Sequence, residues 1–130
     1  MNNRTTKNIG DIGEKYARRY LQLRFYKILD LQYSTPFGEI DIIAQKKNTI
    51  IFVEVKSRTE NYKTPPAEAV TKAKQDRIIK TACSYMKRNN IKLQPRFDII
   101  EVILDNQNMK KIKLNHISNA FARSGYYAVF

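Results

Sequence analysis

Residues 38–58 read GEIDIIAQKKNTIIFVEVKSR, and this stretch decides the fold. Thr49 to Lys56 is the clearest strand in the chain, because Ile50, Ile51, Phe52, Val53 and Val55 are β-branched or aromatic. Glu39 to Gln45 reads as a second strand. Lys46, Lys47 and Asn48 form a short polar break between the two, which predicts an antiparallel hairpin. Side chains alternate along a strand, so Phe52, Glu54 and Lys56 share one face, and Ile51, Val53 and Val55 the other. Asp41 shares a face with Glu39 and Ile43. A hairpin centred near Lys47 brings Asp41 and Glu54 within one register step of being opposite.

Upstream, Met1 to Asn8 reads as a loose basic arm, and residues 9–130 as one domain. Ile9 to Leu23 is expected to be helical, with Ile12, Tyr16, Tyr20 and Leu23 on one face, widened by Gly13, Ala17 and Leu21. Arg24 to Tyr33 reads as an untidy strand, and Ser34 to Gly38 as a turn. Downstream, Ser57 to Thr64 reads as a loop. Pro65 and Pro66 fit the first turn of a helix running to about Arg88, with Thr64 as its cap and Val70, Ile78, Ala82 and Tyr85 facing inward. Arg96 to Leu104 is a further strand, and Asp105 to Asn108 a turn. Lys110 to Leu114 reads as a short edge strand, since its lysines resist burial, and Asn115 to Arg123 as a short helix. The order αβββαββ argues an α/β fold with a mixed central sheet and a helix on each face. The long second helix gives a crossover that sets the strand at Arg96 parallel to the one at Thr49.

The 130 residues, of 15.3 kDa, suffice for one domain. A hydrophobic fraction of 42% excludes a disordered chain. One Cys and one His exclude an internal disulfide and a Cys/His zinc cluster, so a metal site must be built from carboxylates. No apolar run approaches the roughly 20 residues of a membrane span, and the N-terminus is polar. The expected location is the cytoplasm, with Cys83 a reduced, buried thiol. Twenty-four Lys and Arg against twelve Asp and Glu give a net charge of +12. That surplus points to a polyanionic partner, or serves solubility alone.

Within this basic chain, Asp41, Glu54 and Lys56 carry the chemistry. Two converging carboxylates repel unless a cation lies between them. Mg²⁺ suits hard oxygen ligands, polarises a scissile phosphate and lowers the pKa of an attacking water. A lysine two residues from Glu54 can orient that water or meet developing negative charge. The residues alone leave a second reading open, in which Glu54 and Lys56 are an ion pair on a solvated strand.

Gly38, Glu39, Ile40, Asp41, then Phe52, Val53, Glu54, Val55, Lys56, Ser57 and Arg58 resemble the core of the bacterial YraN-type proteins, an uncharacterised family with a restriction-endonuclease-like fold, akin to Holliday-junction resolvases. Gly10, Gly13, Glu14 and Ala17 are similar to its opening helix. Pro65, Ala69, Val70, Lys74, Arg77 and Ala82 match its central helix, Phe97 and Asp98 its next strand, and Asn119, Ala120 and Phe121 its end. The chain departs from the commoner pattern at Phe25–Tyr26 and at Asp30, where Gly-Tyr and Asn are more usual. The resemblance implies that Asp41 and Glu54 bind metal, with the Val55 backbone carbonyl as a further ligand and Lys56 as the catalytic lysine. It implies that Glu14 joins them from the first helix, as a catalytic and metal-binding acid, and that Lys74 faces the site.

The expected function is Mg²⁺- or Mn²⁺-dependent hydrolysis of DNA, branched or single-stranded. Arg58, Lys72, Lys74 and Arg77 would contact nucleic acid, and Gly38 would permit a turn beside the site. The alternative is a nucleic-acid-binding protein, or a subunit of a DNA-processing complex, that keeps the fold without turnover. A homodimer fits a junction substrate, with Tyr126 to Phe130 as a candidate interface. His116 is read as structural, Asp98 as a cap or ion-pair partner, and the tyrosines as half-buried packing residues.

Overall fold

The computed structural model describes residues 6–60 and 70–121. Within them the order is α1 (Thr6–Leu23), β1 (Lys27–Thr35), β2 (Gly38–Lys46), β3 (Thr49–Thr59), α2 (Lys72–Arg88), β4 (Gln94–Leu104) and β5 (Lys111–Phe121). The strands form one sheet in the order β1-β2-β3-β4-β5. All neighbours are antiparallel except β3 and β4, which run parallel, as the crossover through α2 requires. This is the expected αβββαββ α/β fold, compatible with the restriction-endonuclease-like class.

The hairpin alternation divides the core between two layers. On one face, Ala17 and Leu21 of α1 pack with Ile42, Ile51, Val53, Ile100 and Val102. On the other, Ile78, Ile79, Ala82 and Met86 of α2 pack with Ile43, Phe52, Phe97 and Ile99. Phe52 anchors this second layer, stacked on Phe97 at 5.5 Å and edge-on to Tyr85. Cys83 is free and partly buried, and burial pushes its thiol pKa up. Among the described residues no helix is long and apolar enough to cross a membrane.

Three boundaries and the placement of one residue differ from expectation. α1 starts at Thr6, inside the stretch read as an arm, while Met1 to Thr5 lie outside the described residues. α2 starts at Lys72, where Thr71 accepts the Lys74 N–H as a cap. The cap at Thr64 and the Pro65–Pro66 first turn fall on residues outside the description. The expected helix at Asn115 to Arg123 is instead the continuation of β5 to Phe121, where pairing with β4 overrides weak local preference. Leu23, expected on the inner face of α1, is 70% exposed. The tail Tyr126 to Phe130 lies outside the described residues.

Two close fits set α1 on the sheet. At its C-terminus the Tyr26 N–H reaches the Leu21 carbonyl and the Phe25 N–H the Gln22 carbonyl, both at 3.0 Å, closing a Schellman turn. Phe25 holds φ 68° there, a left-handed conformation that costs a non-glycine residue about 1 kcal/mol. Earlier in the helix, a Cβ on Gly13 would lie 1.6 Å from Ser57 Oγ and 2.6 Å from Ser57 Cβ. Rotating the hydroxyl away leaves the second clash. Gly13→Ala is therefore expected to lower stability by about 1–2 kcal/mol despite the better helix propensity of alanine. Thermal melts of Gly13→Ala and of Gly13→Ala/Ser57→Gly check this, because the second change should restore the loss. An unaltered Gly13→Ala melt would mean α1 has room to spare.

Candidate active site

The hairpin register pairs Lys46 with Thr49 and ends at Ile42 with Val53. Its centre falls between Lys47 and Asn48, so the next step sets Asp41 across from Glu54. There the ladder stops. Asp41 Oδ2 accepts the Val55 N–H at 2.8 Å, a side chain doing the work of a backbone carbonyl. β3 continues alongside β4 to Thr59, so β2 and β3 fork at this point. Ile40 and Ile42 should share a face in a regular strand, yet they belong to opposite core layers. The strand turns over at Asp41, which thereby meets groups from both faces of the sheet.

From the α2 face come Glu54, Lys56 and Lys74. Glu54 is 6% exposed and carries Lys74 Nζ at 2.7 Å, with Lys56 Nζ at 4.0 Å from the same oxygen. From the α1 face comes Glu14, hydrogen-bonded to Asp41 and to Gln32, whose Nε2 donates at 2.9 Å. Burial and then the charge of Glu54 push the Asp41 carboxyl up to about 8, against the Val55 N–H. Burial also raises the Glu14 pKa, against the bonds from Gln32 and Asp41. Two carboxyl groups can share a hydrogen bond only if one holds a proton. Burial lowers the Lys74 pKa, but its bond to Glu54 and the charges of Glu54 and Asp41 together outweigh this, and the net shift is upward.

Glu14, Asp41, Glu54, Lys56 and Lys74 are thus brought together. Gly38 follows the Pro36–Phe37 turn and opens β2 against α2, where Thr81 lies 3.6 Å from the position of a Cβ. Lys72 and Arg77 are exposed on α2. Arg58 is placed differently from the others. It forms an ion pair with Glu101 of β4, itself 2% exposed and bonded by Asn115 Nδ2 at 3.0 Å.

Two members escaped the sequence reading. Gln32 follows from register alone: Leu31 pairs with Ile42 and Tyr33 with Ile40, so Gln32 lies beside Asp41. Its φ of 49° has no sequence signal. Glu101 was signalled by an acid inside the apolar run from Ile99 to Ile103.

A separate buried cluster lies toward the other end of α1. Asp98, fully buried, accepts two bonds from Arg96, one from the Asn119 N–H, and contacts His116 Nε2 at 2.7 Å. Tyr20 Oη meets His116 Nδ1 at 3.1 Å. Asp98 and His116 are thus structural partners, as expected; Tyr20 and Tyr26 are half-buried packing residues beside them, and Tyr16 packs against the α1-side core.

Among the described residues no three carboxylate, imidazole or thiolate groups already form a metal cage. Asp41 and Glu54 nonetheless fit Mg²⁺, which is commonly held by one or two carboxylates and keeps several waters. Burial, and then the charge of Glu54, raise the Asp41 carboxyl, and a cation between the two acids would offset both.

Fold and site together define an α/β protein with a mixed five-stranded sheet, compatible with the restriction-endonuclease-like class, and an acid pair and lysines at a fork in that sheet. A model of the family described as "Uncharacterised protein family UPF0102" matches residues 13–102. The chain belongs to this family, the family of the YraN-type proteins. It is 49% identical over 116 residues to the UPF0102 protein of Caldanaerobacter subterraneus, covering 88% of this chain and 95% of that one. It is 47% identical over 122 residues to that of Clostridioides difficile, covering 93% and 100%. With that of Geobacter metallireducens it shares 42% over 116 residues, covering 88% and 93%.

Proposed function

We propose that this protein is a metal-dependent nuclease that hydrolyses phosphodiester bonds of DNA, with branched or single-stranded DNA as its substrate. The observation that carries the reading is the buried Glu54 set across from Asp41, whose carboxyl is pushed up to about 8 at the fork. Asp41, Glu54 and the Val55 carbonyl would hold Mg²⁺ or Mn²⁺. Such an ion, when bound, supplies Lewis-acid polarisation of the phosphate and a more acidic water.

The chain's own residues do the rest. Lys56, within reach of Glu54, positions the water whose oxygen bonds to phosphorus as the bond to the 3′ oxygen breaks; the proton lost by that water returns through solvent to the leaving 3′ oxygen. Lys74, which pairs with Glu54 at 2.7 Å, would be free to meet the charge of the scissile phosphate with Glu54 committed to an ion. Glu14 and Gln32 fix the orientation of Asp41 from the α1 side. Lys72 and Arg77, exposed on the helix that carries Lys74, contact flanking phosphates.

A second reading has one observation in its favour. Lys74 at 2.7 Å already neutralises Glu54, as in a purely structural pair on a nucleic-acid-binding protein. Cleavage of supercoiled, single-stranded, flap and four-way-junction DNA with Mn²⁺ or Mg²⁺ decides between them. Glu54→Ala and Lys56→Ala are expected to cut at least about a hundredfold more slowly while retaining DNA binding. No metal-dependent products from folded parent protein, with binding unchanged in both variants, would leave the binding module standing.

A further inference from the structure

The end of the sheet away from the acid pair carries a group of residues that the proposed chemistry does not use. The α1–β1 turn and the β2–β3 turn meet there, with Lys46 Nζ 4.7 Å above the Tyr26 ring. Arg24 lies over the Tyr20 ring at 3.9 Å. Lys27 and Lys47 are exposed beside them, and neither residues 23–28 nor residues 45–49 contain an acid. From this basic ground Phe25 projects into solvent, 88% exposed, with Leu23 next to it at 70%.

Phe25 gains nothing in the fold. Its ring is bare, and its backbone sits at φ 68°, where glycine is the residue of least strain. A strained backbone that presents an unburied aromatic ring calls for an occupant outside the chain. Arg24, Lys27, Lys46 and Lys47 set the charge of that occupant: it is a polyanion. The ring sets its second property, an unpaired planar face to stack upon. A duplex buries its base faces, whereas a single strand offers them with phosphates on either side. One aromatic and one leucine among four cations are too little apolar area for insertion into a lipid layer.

We propose that this end of the molecule binds single-stranded nucleic acid, with a base stacked on Phe25 and phosphates on Arg24, Lys27, Lys46 and Lys47. From Thr49 to Glu54 is five residues of strand, so the patch lies about 17 Å along the sheet from the acid pair. The proposal rests on the nucleic-acid reading above and adds to it. A substrate with an unpaired segment at that distance from the cut engages both regions at once, which favours branched or tailed DNA over plain duplex.

Anisotropy of fluorescein-labelled dT20, in EDTA so that no cleavage occurs, tests it. Phe25→Ala and Phe25→Gly are expected to weaken binding about tenfold, while Phe25→Trp keeps the parent affinity. Phe25→Gly is also expected to melt about 3 °C higher, since it relieves the backbone, so its lost affinity would not reflect unfolding. Duplex of the same length should bind equally to parent and variants. Unchanged dT20 binding by both small variants overturns the proposal. So does loss in those variants of dimerisation, or of binding to anionic phosphatidylserine vesicles, in place of dT20 affinity. Either result leaves the cleavage reading intact, because that depends on Glu54 and Lys56. Conversely, a Phe25 effect on dT20 without any cleavage by the parent supports the patch and removes the nuclease.

Discussion

Asp41→Asn is expected to melt about 5 °C above the parent at pH 8 and to lose metal-dependent cleavage by on the order of a thousandfold. Burial and the charge of Glu54 raise the carboxyl from 3.8 in a free chain to about 8 in the folded one. The folded state thus holds a proton that the unfolded state gives up. Its stabilising effect is complete below pH 3.8 and is lost as pH rises through about 8. The parent therefore weakens across that window, while the uncharged amide does not. Asparagine retains an oxygen for the Val55 N–H, so the fork survives. The advantage of Asp41→Asn should grow from pH 5 to pH 8 and then level off, and calorimetry at intervals between pH 5 and 9 would trace it. Mn²⁺ should raise the melting temperature of the parent most at the alkaline end and leave the variant unmoved. Parallel pH profiles for the two proteins would show that Asp41 carries no such proton.

Asp98→Ala should have the largest effect on stability, about 3–5 kcal/mol. That is a large share of the roughly 5–15 kcal/mol that holds a domain together. The alanine removes the acceptor for Arg96, the Asn119 N–H and His116 at once. Arg96 is partly exposed and recovers some hydration, which keeps the loss from being greater. Burial raises the Asp98 pKa, but the bonds from His116, Arg96 and Asn119 outweigh it, and the net shift is downward. Its stabilising effect is therefore present above pH 3.8 and lost as pH falls below that value. Urea melts at pH 7 and pH 3 should show parent and variant far apart at neutrality and closer in acid. A gap that stays constant with pH would assign the loss to packing alone.

The hairpin was legible because two independent signals agree. Ile50 to Val53 and then Val55 form a β-branched and aromatic run, and Lys46 to Asn48 leave only a tight reversal. Asp41, Glu54 and Lys56 follow from that register, and the layer assignment of Phe52 and Val53 follows from the alternation of side chains along a strand. The second half was harder to read. Asn115 to Phe121 lacks a strand-forming run and becomes β5 because β4 offers it an open edge and Asp98 takes the Asn119 N–H. The start of α2 is set by the Thr71 cap, a signal as local as the prolines preferred in its place. Gln32 has no mark in the sequence, since its role comes from a left-handed backbone angle and from the strand beside it. Lys74 illustrates the general limit: which of many lysines meets Glu54 depends on where a helix docks, and docking is a property of the whole core.

The fork at Asp41 also has a consequence for how the chain comes into being. Its neighbours arrive from both layers, Glu14 from one helix and Lys74 from the other, and β3 must first find β4 across a long stretch of chain. Such non-local pairing is late and slow. A nascent chain that has closed only the β2–β3 hairpin has Asp41 and Glu54 but lacks the docked helix that brings Lys74 to them. On the proposed function, the site that would cut DNA is complete only once synthesis and folding are finished, so cleavage is deferred until then.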